Sequence, residues 1–381
     1  MKPRVVVVTR NIPPLVGGME RLIWHLIDEL RPSYRVHVVG PSGCGSKLPG
    51  DVHVTEIPIK PLFLFLLRAE LAVVKMALRI RPTIVLAGSG LTAPITLSAA
   101  RLTGAASMVY LHGLDIKADH FVYRSLWKPV FRYFDSVLVN SRFTRQLAID
   151  AKIPSERITV LHPGVELPET RNFGKKRTDF RAHHNLLNRP LMLSVGRITS
   201  RKGLLPFVND IMPQILAEVP SAELVIVGDD PADALLTTVN ERLRVKQALE
   251  KENLASKVHW LGKCSQEKLD QAYFSSDVLV FPVQQRSNDI EGFGMVAMEA
   301  AAHGLPVVAF SVGGVTDAVA DNSCGNLIPD GDSAAFARAV IKILKKQLTR
   351  KQIESCRKFA ELFRWELFGN KLRDICRDVE R

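Results

Sequence analysis

A run of β-branched residues too short for a buried helix and too continuous for a half-exposed strand opens this chain: Arg4-Val5-Val6-Val7-Val8-Thr9. Such a run is expected where both faces of a strand are covered, as in a parallel sheet with helices on either side. Asn11-Ile12-Pro13-Pro14 cannot continue a regular element, and Gly17-Gly18 ends the loop they begin. Leu22, Ile23, Leu26, Ile27 and Leu30 then fall at helical spacing. Strand, glycine loop and helix make the first half of a doubly wound unit. Further strands are expected at 35–39, 53–57, 83–87, 107–111 and 136–140, most of them separated by helical stretches.

The chain then passes through His162-Pro163-Gly164-Val165-Glu166-Leu167-Pro168 into residues 171–177, which are polar and basic with little to bury. A domain boundary is expected there. The pattern restarts with a strand at 191–195, Gly196-Arg197, Lys202-Gly203 and a helix to about Glu218. A strand at 223–227 ends in Gly228-Asp229-Asp230-Pro231, and a helical segment follows over about 234–252. Strands at 258–261, 278–281 and 307–309 alternate with helices starting near Gln266, near Phe293 and after Gly313-Gly314. The tail reads as helices at 334–347, 351–362 and 366–379. The expected fold class is α/β, with two Rossmann-like domains at 1–168 and 178–365. Ligands of such sheets sit beyond the carboxyl ends of the strands, so two domains facing across a cleft would place the chemistry in the loops after strands.

A length of 381 residues suits two domains, and 46% hydrophobic residues suffice for two cores. The net charge of +12 favours anionic partners, namely phosphates, acidic lipid or nucleic acid; with no nucleic-acid motif, the last rests on charge alone and is not expected. Cys44, Cys264, Cys324, Cys356 and Cys376 are scattered without a CxxC, as in a reduced cytoplasmic chain with buried thiols. The Val5–Val8 run is only four residues long and Arg10 follows it after Thr9, which is not the pattern of a secretion signal. No apolar run is long enough to span a membrane.

The densest chemistry lies in Asp289-Ile290-Glu291-Gly292-Phe293-Gly294-Met295-Val296-Ala297-Met298-Glu299. The two glycines argue that Glu291 stands in a loop and Glu299 inside the helix that follows. In a continuous helix the two would lie about 12 Å apart along the axis, enough to hold different parts of one extended ligand. A helix N-terminus attracts phosphate, and carboxylates accept from sugar hydroxyls. The competing reading is a surface helix with two acids, but Val296, Ala297, Met298 and Ala300 make its surroundings apolar. Arg197 and Lys202, with Arg201 between them, supply the charge a diphosphate needs, or form a solvated basic loop. Gly17-Gly18 either lets a phosphate or sugar approach the backbone or makes a tight turn; it is not GxGxxG, which disfavours a nicotinamide or flavin. His112, in His112-Gly113-Leu114-Asp115 after a strand, either reaches a ligand or is structural. Asp229 and Asp230 read as loop acids or a helix cap before a metal site. No HExxH, Cys/His cluster or hydrolytic triad is evident, and no cofactor is expected. In the first domain, 60–81 and 121–132 are cationic and amphipathic. Arg124, Lys128 and Arg132 stand four apart, on one helix face if Pro129 is only a kink, which suits anionic lipid or ordinary surface.

With these residues in place, the chain resembles the GT-B glycosyltransferases, specifically the retaining glycosyltransferase family 4, with the general character of its bacterial mannosyl- and rhamnosyltransferases. The resemblance runs through Pro13-Pro14-x-x-Gly17-Gly18-x-Glu20, His112-Gly113-x-Asp115, Val139-Asn140-Ser141, His162-Pro163-Gly164-Val165, Val195-Gly196-Arg197 with Lys202-Gly203, Glu291 to Glu299, and Gly304-Leu-Pro-Val-Val-Ala with Gly313-Gly314. It implies that Arg197 and Lys202 hold the donor diphosphate and that Glu291 with Gly292, Phe293 and Gly294 faces the transferred sugar and phosphates. It implies Glu299 on the ribose, Gly17 and Gly18 near the phosphates, His112 near the sugar, and Glu20 and Asp115 on the acceptor side. His112 and Glu291 would then stand nearest the reacting bond. The implied reaction is metal-independent transfer of a hexose, with retention, from a nucleotide-diphosphate sugar to a lipid-linked glycan of bacterial surface polysaccharide, on the inner face of the plasma membrane. The last helix, 366–381, would pack on the first domain. Gly228-Asp229-Asp230-Pro231 departs from the family's Gly-Asp-Gly-Pro, which leaves guanine and uracil both open, with a GDP-sugar favoured. A two-domain nucleotide-sugar epimerase or binder is the rival of another class.

Overall fold

The computed structural model describes residues 2–171, 173–230, 240–286 and 289–380. It divides into two compact units, one made of the chain up to Gly164 together with the residues from Phe363 on, the other of Val165–Leu362.

The first unit holds β1 (Arg4–Val8), β2 (Arg35–Pro41), β3 (His53–Ile57), β4 (Ile84–Ala87), β5 (Ala106–Leu111), β6 (Ser136–Val139) and β7 (Ile158–Val160). They form one parallel sheet in the order β3-β2-β1-β4-β5-β6-β7. The valine run of β1 lies between β2 and β4, with Val5 opposite both Val36 and Ile84, and is wholly buried. Helix Gly18–Leu30 buries Leu22, Ile23, Leu26, Ile27 and Leu30. Helix Leu62–Ile80 turns Phe65, Ala69, Val73 and Ala77 into the core at four-residue spacing, and leaves Phe63, Leu67, Leu71 and Leu78 exposed. The C-terminal helix Trp365–Val379 packs on helix Gly18–Leu30. There the Trp365 indole stacks on His25 with ring centroids 3.8 Å apart, and Arg373 pairs with Glu29 at 2.9 Å. A Cβ on Gly164 would run into that indole, so only glycine fits there.

The second unit holds β8 (Leu191–Val195), β9 (Glu223–Val227), β10 (Val258–Gly262), β11 (Val278–Phe281), β12 (Val307–Phe310) and β13 (Gly325–Ile328), parallel throughout in the order β10-β9-β8-β11-β12-β13. Each unit is therefore a Rossmann-like α/β domain. In each, strand order reverses beside the first strand, between β1 and β4 and between β8 and β11.

Several elements differ from expectation. Residues 169–177 are not merely a linker. Helix Phe173–His183 belongs to the second unit, where Arg177 donates to the carbonyls of Phe274, Ser275 and Ser276 and pairs with Asp277. These basic residues fold because they satisfy carbonyls and an acid, not because they bury apolar surface. Edge strand β13 was not anticipated; Gly325-Asn326-Leu327-Ile328 is half exposed and carries no alternation. The helix expected near Phe293 starts at Met295, because Gly294 caps it at φ +96°. The helix expected after Gly203 is broken into Leu204–Pro206, a π-helical turn at Phe207–Ile211, and Met212–Glu218, as Pro206 and Pro213 dictate. The expected helix over 234–252 begins outside the described residues, as does Pro231, and its described part is Glu241–Lys251.

Candidate functional site

In the second unit the loops after β8 and β11 meet where the strand order reverses. Gly203 stands at φ +70°, and a Cβ there would collide with the Pro282 carbonyl oxygen. That close approach presses the turn Ser200–Lys202 onto the segment after β11. Its result is a buried cluster of charge. Lys202 Nζ lies 2.7 Å from Glu291 Oε2, Arg201 Nη1 bonds the same oxygen, and Arg201 Nε lies 2.7 Å from Asp289 Oδ1. Lys202 Nζ also sits 4.8 Å from the centre of the Phe281 ring. Burial pushes the Glu291 carboxyl up, but Arg201 and Lys202 outweigh it and hold the group at about 2. Burial lowers the Lys202 ammonium, against the pull of Glu291, and the neighbouring Arg201 lowers it further.

Of the two cations expected here, Lys202 therefore turns inward while Arg197 stands exposed. The inward guanidinium is that of Arg201, with Asp289 as its second partner. The usable signal was an acid two residues before Glu291 and an arginine directly before Lys202. The loop has no periodicity to say which arginine turns in.

Gly292 and Gly294 let the backbone after Glu291 double back into helix Met295–Ala302, with Phe293 buried between them. Gly314 donates its amide to the Glu291 carbonyl at 2.9 Å, and a Cβ on Gly314 would strike the Gly292 carbonyl oxygen. The later glycine pair is the seat of the Glu291 loop. Glu299 lies inside the helix, half-buried, and accepts from the Tyr273 hydroxyl at 2.8 Å. The two acids thus have different settings, one between cations and one on a phenol. Asp229 and Asp230 act as a cap. Asp230 accepts from the Arg242 amide at 3.1 Å and Asp229 pairs with the Arg242 side chain at 2.8 Å. Among the described residues no three His, Cys, Asp or Glu side chains gather as a metal site would need.

In the first unit, Gly17 caps helix Gly18–Leu30 and the Glu20 carboxylate folds back over it, so a Cβ on Gly17 would touch that carboxylate. Asn11 holds Glu20 from the loop at 3.0 Å. His112 is buried at the end of β5, stacked on Tyr110, with Nε2 2.8 Å from the Gly88 carbonyl. A carbonyl can only accept, so Nε2 carries the proton and a neutral ring keeps Nδ1 as acceptor. Asp115 reaches back to the His112 amide at 2.9 Å and fixes the turn. Arg124, Lys128 and Arg132 do not share one α-helical row. Tyr123–Trp127 is a π-helical turn and Lys128–Tyr133 a 3-10 helix, because Pro129 breaks the α ladder instead of kinking it. Arg124 pairs with Asp119 at 3.1 Å, Lys128 is half-buried with its ammonium lowered by that burial, and Arg132 is exposed.

The profile described as "Glycosyl transferases group 1" matches residues 175–361, and that described as "Glycosyltransferase Family 4" matches 16–169. The chain belongs to the GT-B glycosyltransferases of family 4. Among relatives of this glycosyltransferase is the GDP-mannose-dependent alpha-(1-6)-phosphatidylinositol monomannoside mannosyltransferase of Mycobacterium tuberculosis, 28% identical over 98% of each chain. A D-inositol 3-phosphate glycosyltransferase of Mycolicibacterium smegmatis is 29% identical over 59% of this chain and 50% of its own. Solved structures share the fold. Sucrose-phosphate synthase of Thermosynechococcus elongatus superposes with a TM-score of 0.81 at 21% identity over 99% of both chains. Anabaena HepE, in complex with UDP, does so with a TM-score of 0.81 at 18% identity, over 98% of this chain and 100% of that one. The activity is hexosyl transfer. Among the described residues no helix of the transferase is long and apolar enough to cross a membrane.

Proposed function

We propose that this glycosyltransferase moves a mannose-type hexose from a GDP-sugar to a lipid-linked glycan in bacterial surface polysaccharide synthesis, with retention at the anomeric carbon. The observation that carries the donor side is the buried Lys202–Glu291–Arg201 cluster beside exposed Arg197, next to the N-terminus of helix Met295–Ala302. Arg197, Lys202 and the amides of Gly292 to Gly294 take the diphosphate. Glu291 faces the sugar, Glu299 the ribose, and His112 the sugar hydroxyls through Nδ1. Glu20 and Asp115 serve the acceptor side. Guanine and a lipid acceptor are supported by the mycobacterial relative, whose name states both GDP-mannose and a phosphatidylinositol glycan over 98% of its length. The sugar C1–O bond to phosphate breaks as the acceptor oxygen bonds C1 on the same face. The leaving phosphate oxygen takes the acceptor proton, and the cations strengthen their hold as its charge develops. No cofactor takes part in this scheme.

A melting-temperature screen against GDP-mannose, UDP-glucose and their free diphosphates tests the donor, since a ligand of the folded state raises the transition. A rise with GDP-mannose is expected. A rise with UDP-glucose alone moves the donor to uridine, and isomerised free sugar without acceptor makes the protein an epimerase. The acceptor calls for contact with an anionic membrane. Supporting it, exposed Phe63, Leu67, Leu71 and Leu78 run beside exposed Arg68, Lys75 and Arg79, and Phe121 and Leu126 lie beside Arg124.

A further inference from the structure

Tyr273 is 1% exposed on helix Gln266–Ser275, and its hydroxyl donates to Glu299 Oε2 at 2.8 Å. Its ring stacks on His303 at 4.7 Å. His303 in turn bonds the Glu299 main-chain carbonyl through Nδ1 at 2.7 Å, packs against Phe274 at 4.6 Å, and has Nε2 3.3 Å from Asp270 Oδ1. Side chain and backbone of Glu299 are therefore held by one cluster from two helices. A phenylalanine would fill the same space without a hydroxyl to desolvate, so a buried tyrosine here is explained by what its hydroxyl holds. A glutamate on a helix has three side-chain torsions to lose on binding a ligand, and a bond from a rigid ring removes that freedom beforehand. The hydroxyl takes one of the carboxylate's roughly four lone-pair positions.

We propose that Tyr273 is a positioning residue that sets Glu299 for the donor ribose, and so sets the preference for ribonucleotides over their deoxy counterparts. This rests on the reading of Glu299 as the ribose ligand. A site built to bond a hydroxyl rejects the analogue that lacks it, because its own polar group is then left unpaired.

The test is calorimetric titration with GDP and 2′,3′-dideoxy-GDP, or with UDP and its dideoxy counterpart where UDP is the one that binds. The wild type binds the ribonucleotide more tightly. Tyr273→Phe weakens ribonucleotide binding roughly three- to tenfold, as for one hydrogen bond, and leaves dideoxynucleotide binding unchanged. Added to Glu299→Ala, the same change has no further effect. The Phe variant keeps the ring stacking, Glu299 is half-exposed and can take water, and an unchanged melting temperature checks the fold. Equal losses for both nucleotides, or no loss, overturn the role of Tyr273. If Glu299→Ala keeps the full ribose preference, the reading of Glu299 fails instead, and the proposal with it.

Discussion

Lys202 and Glu291 meet because a glycine between two loops has no side chain, and that dependence can be measured. Lys202→Ala is expected to lower kcat/KM for transfer by at least about 100-fold, as for other removed groups that meet developing charge, with the fold intact by circular dichroism. Glu291→Gln carries a stability signature as well. The Glu291 carboxyl is depressed to about 2 in the fold, so its contribution is present above the ordinary carboxylate value and lost as pH falls through the folded one. The variant should therefore be less stable than wild type at pH 7 by roughly 1–3 kcal/mol, with the gap closing between about pH 5 and 2 in urea titrations. A constant gap across that range would show that charge is not its source. In the sequence, the loop setting of Glu291 and Lys202 and the helical setting of Glu299 were legible from the glycines and apolar residues around them. Arg201 and Tyr273 were not, since one sits in an aperiodic loop and the other reads as an ordinary core aromatic.

The C-terminal helix shows the same limit one level up. Its amphipathic pattern was readable, but its contact partner lies more than 300 residues earlier in the chain, on helix Gly18–Leu30. Trp365→Ala removes the indole between His25, Phe368 and Gly164 and should cost about 3–5 kcal/mol in the first unit, checked by denaturant unfolding. His25 itself is lowered to about 4 by burial and by Arg21, against Asp28. The unfolded chain takes up that proton near pH 6.5 and the folded one only near 4. Stability should therefore fall as pH drops through that window, and His25→Phe should flatten this part of the profile. The row of Arg124, Lys128 and Arg132 failed as an element because spacing of four has meaning only on an unbroken α-helix.

At the scale of the whole molecule, a net charge of +12 is spread over a surface that also exposes an apolar stripe on helix Leu62–Ile80. Binding to vesicles containing phosphatidylglycerol should weaken as salt rises from about 0.05 to 0.5 M, because screening shortens the reach of each cation. Leu67→Asp with Leu71→Asp should lower that binding roughly tenfold or more without changing nucleotide affinity. Unchanged vesicle binding in that variant would remove this helix from the membrane face. Unbound behaviour of the wild type with neutral vesicles is the reference.

By itself the sequence determined that there are two doubly wound α/β units, since short continuous β-branched runs can be covered on both faces only in a parallel sheet. It also marked which loops gather charge, because glycines and charged residues cluster after strands. Only the tertiary structure decided which arginine is buried on Glu291, which phenol holds Glu299, and that residues 173–183 fold into the second unit. Those outcomes depend on contacts between residues about 90, 26 and 100 positions apart, where neither periodicity nor propensity carries information.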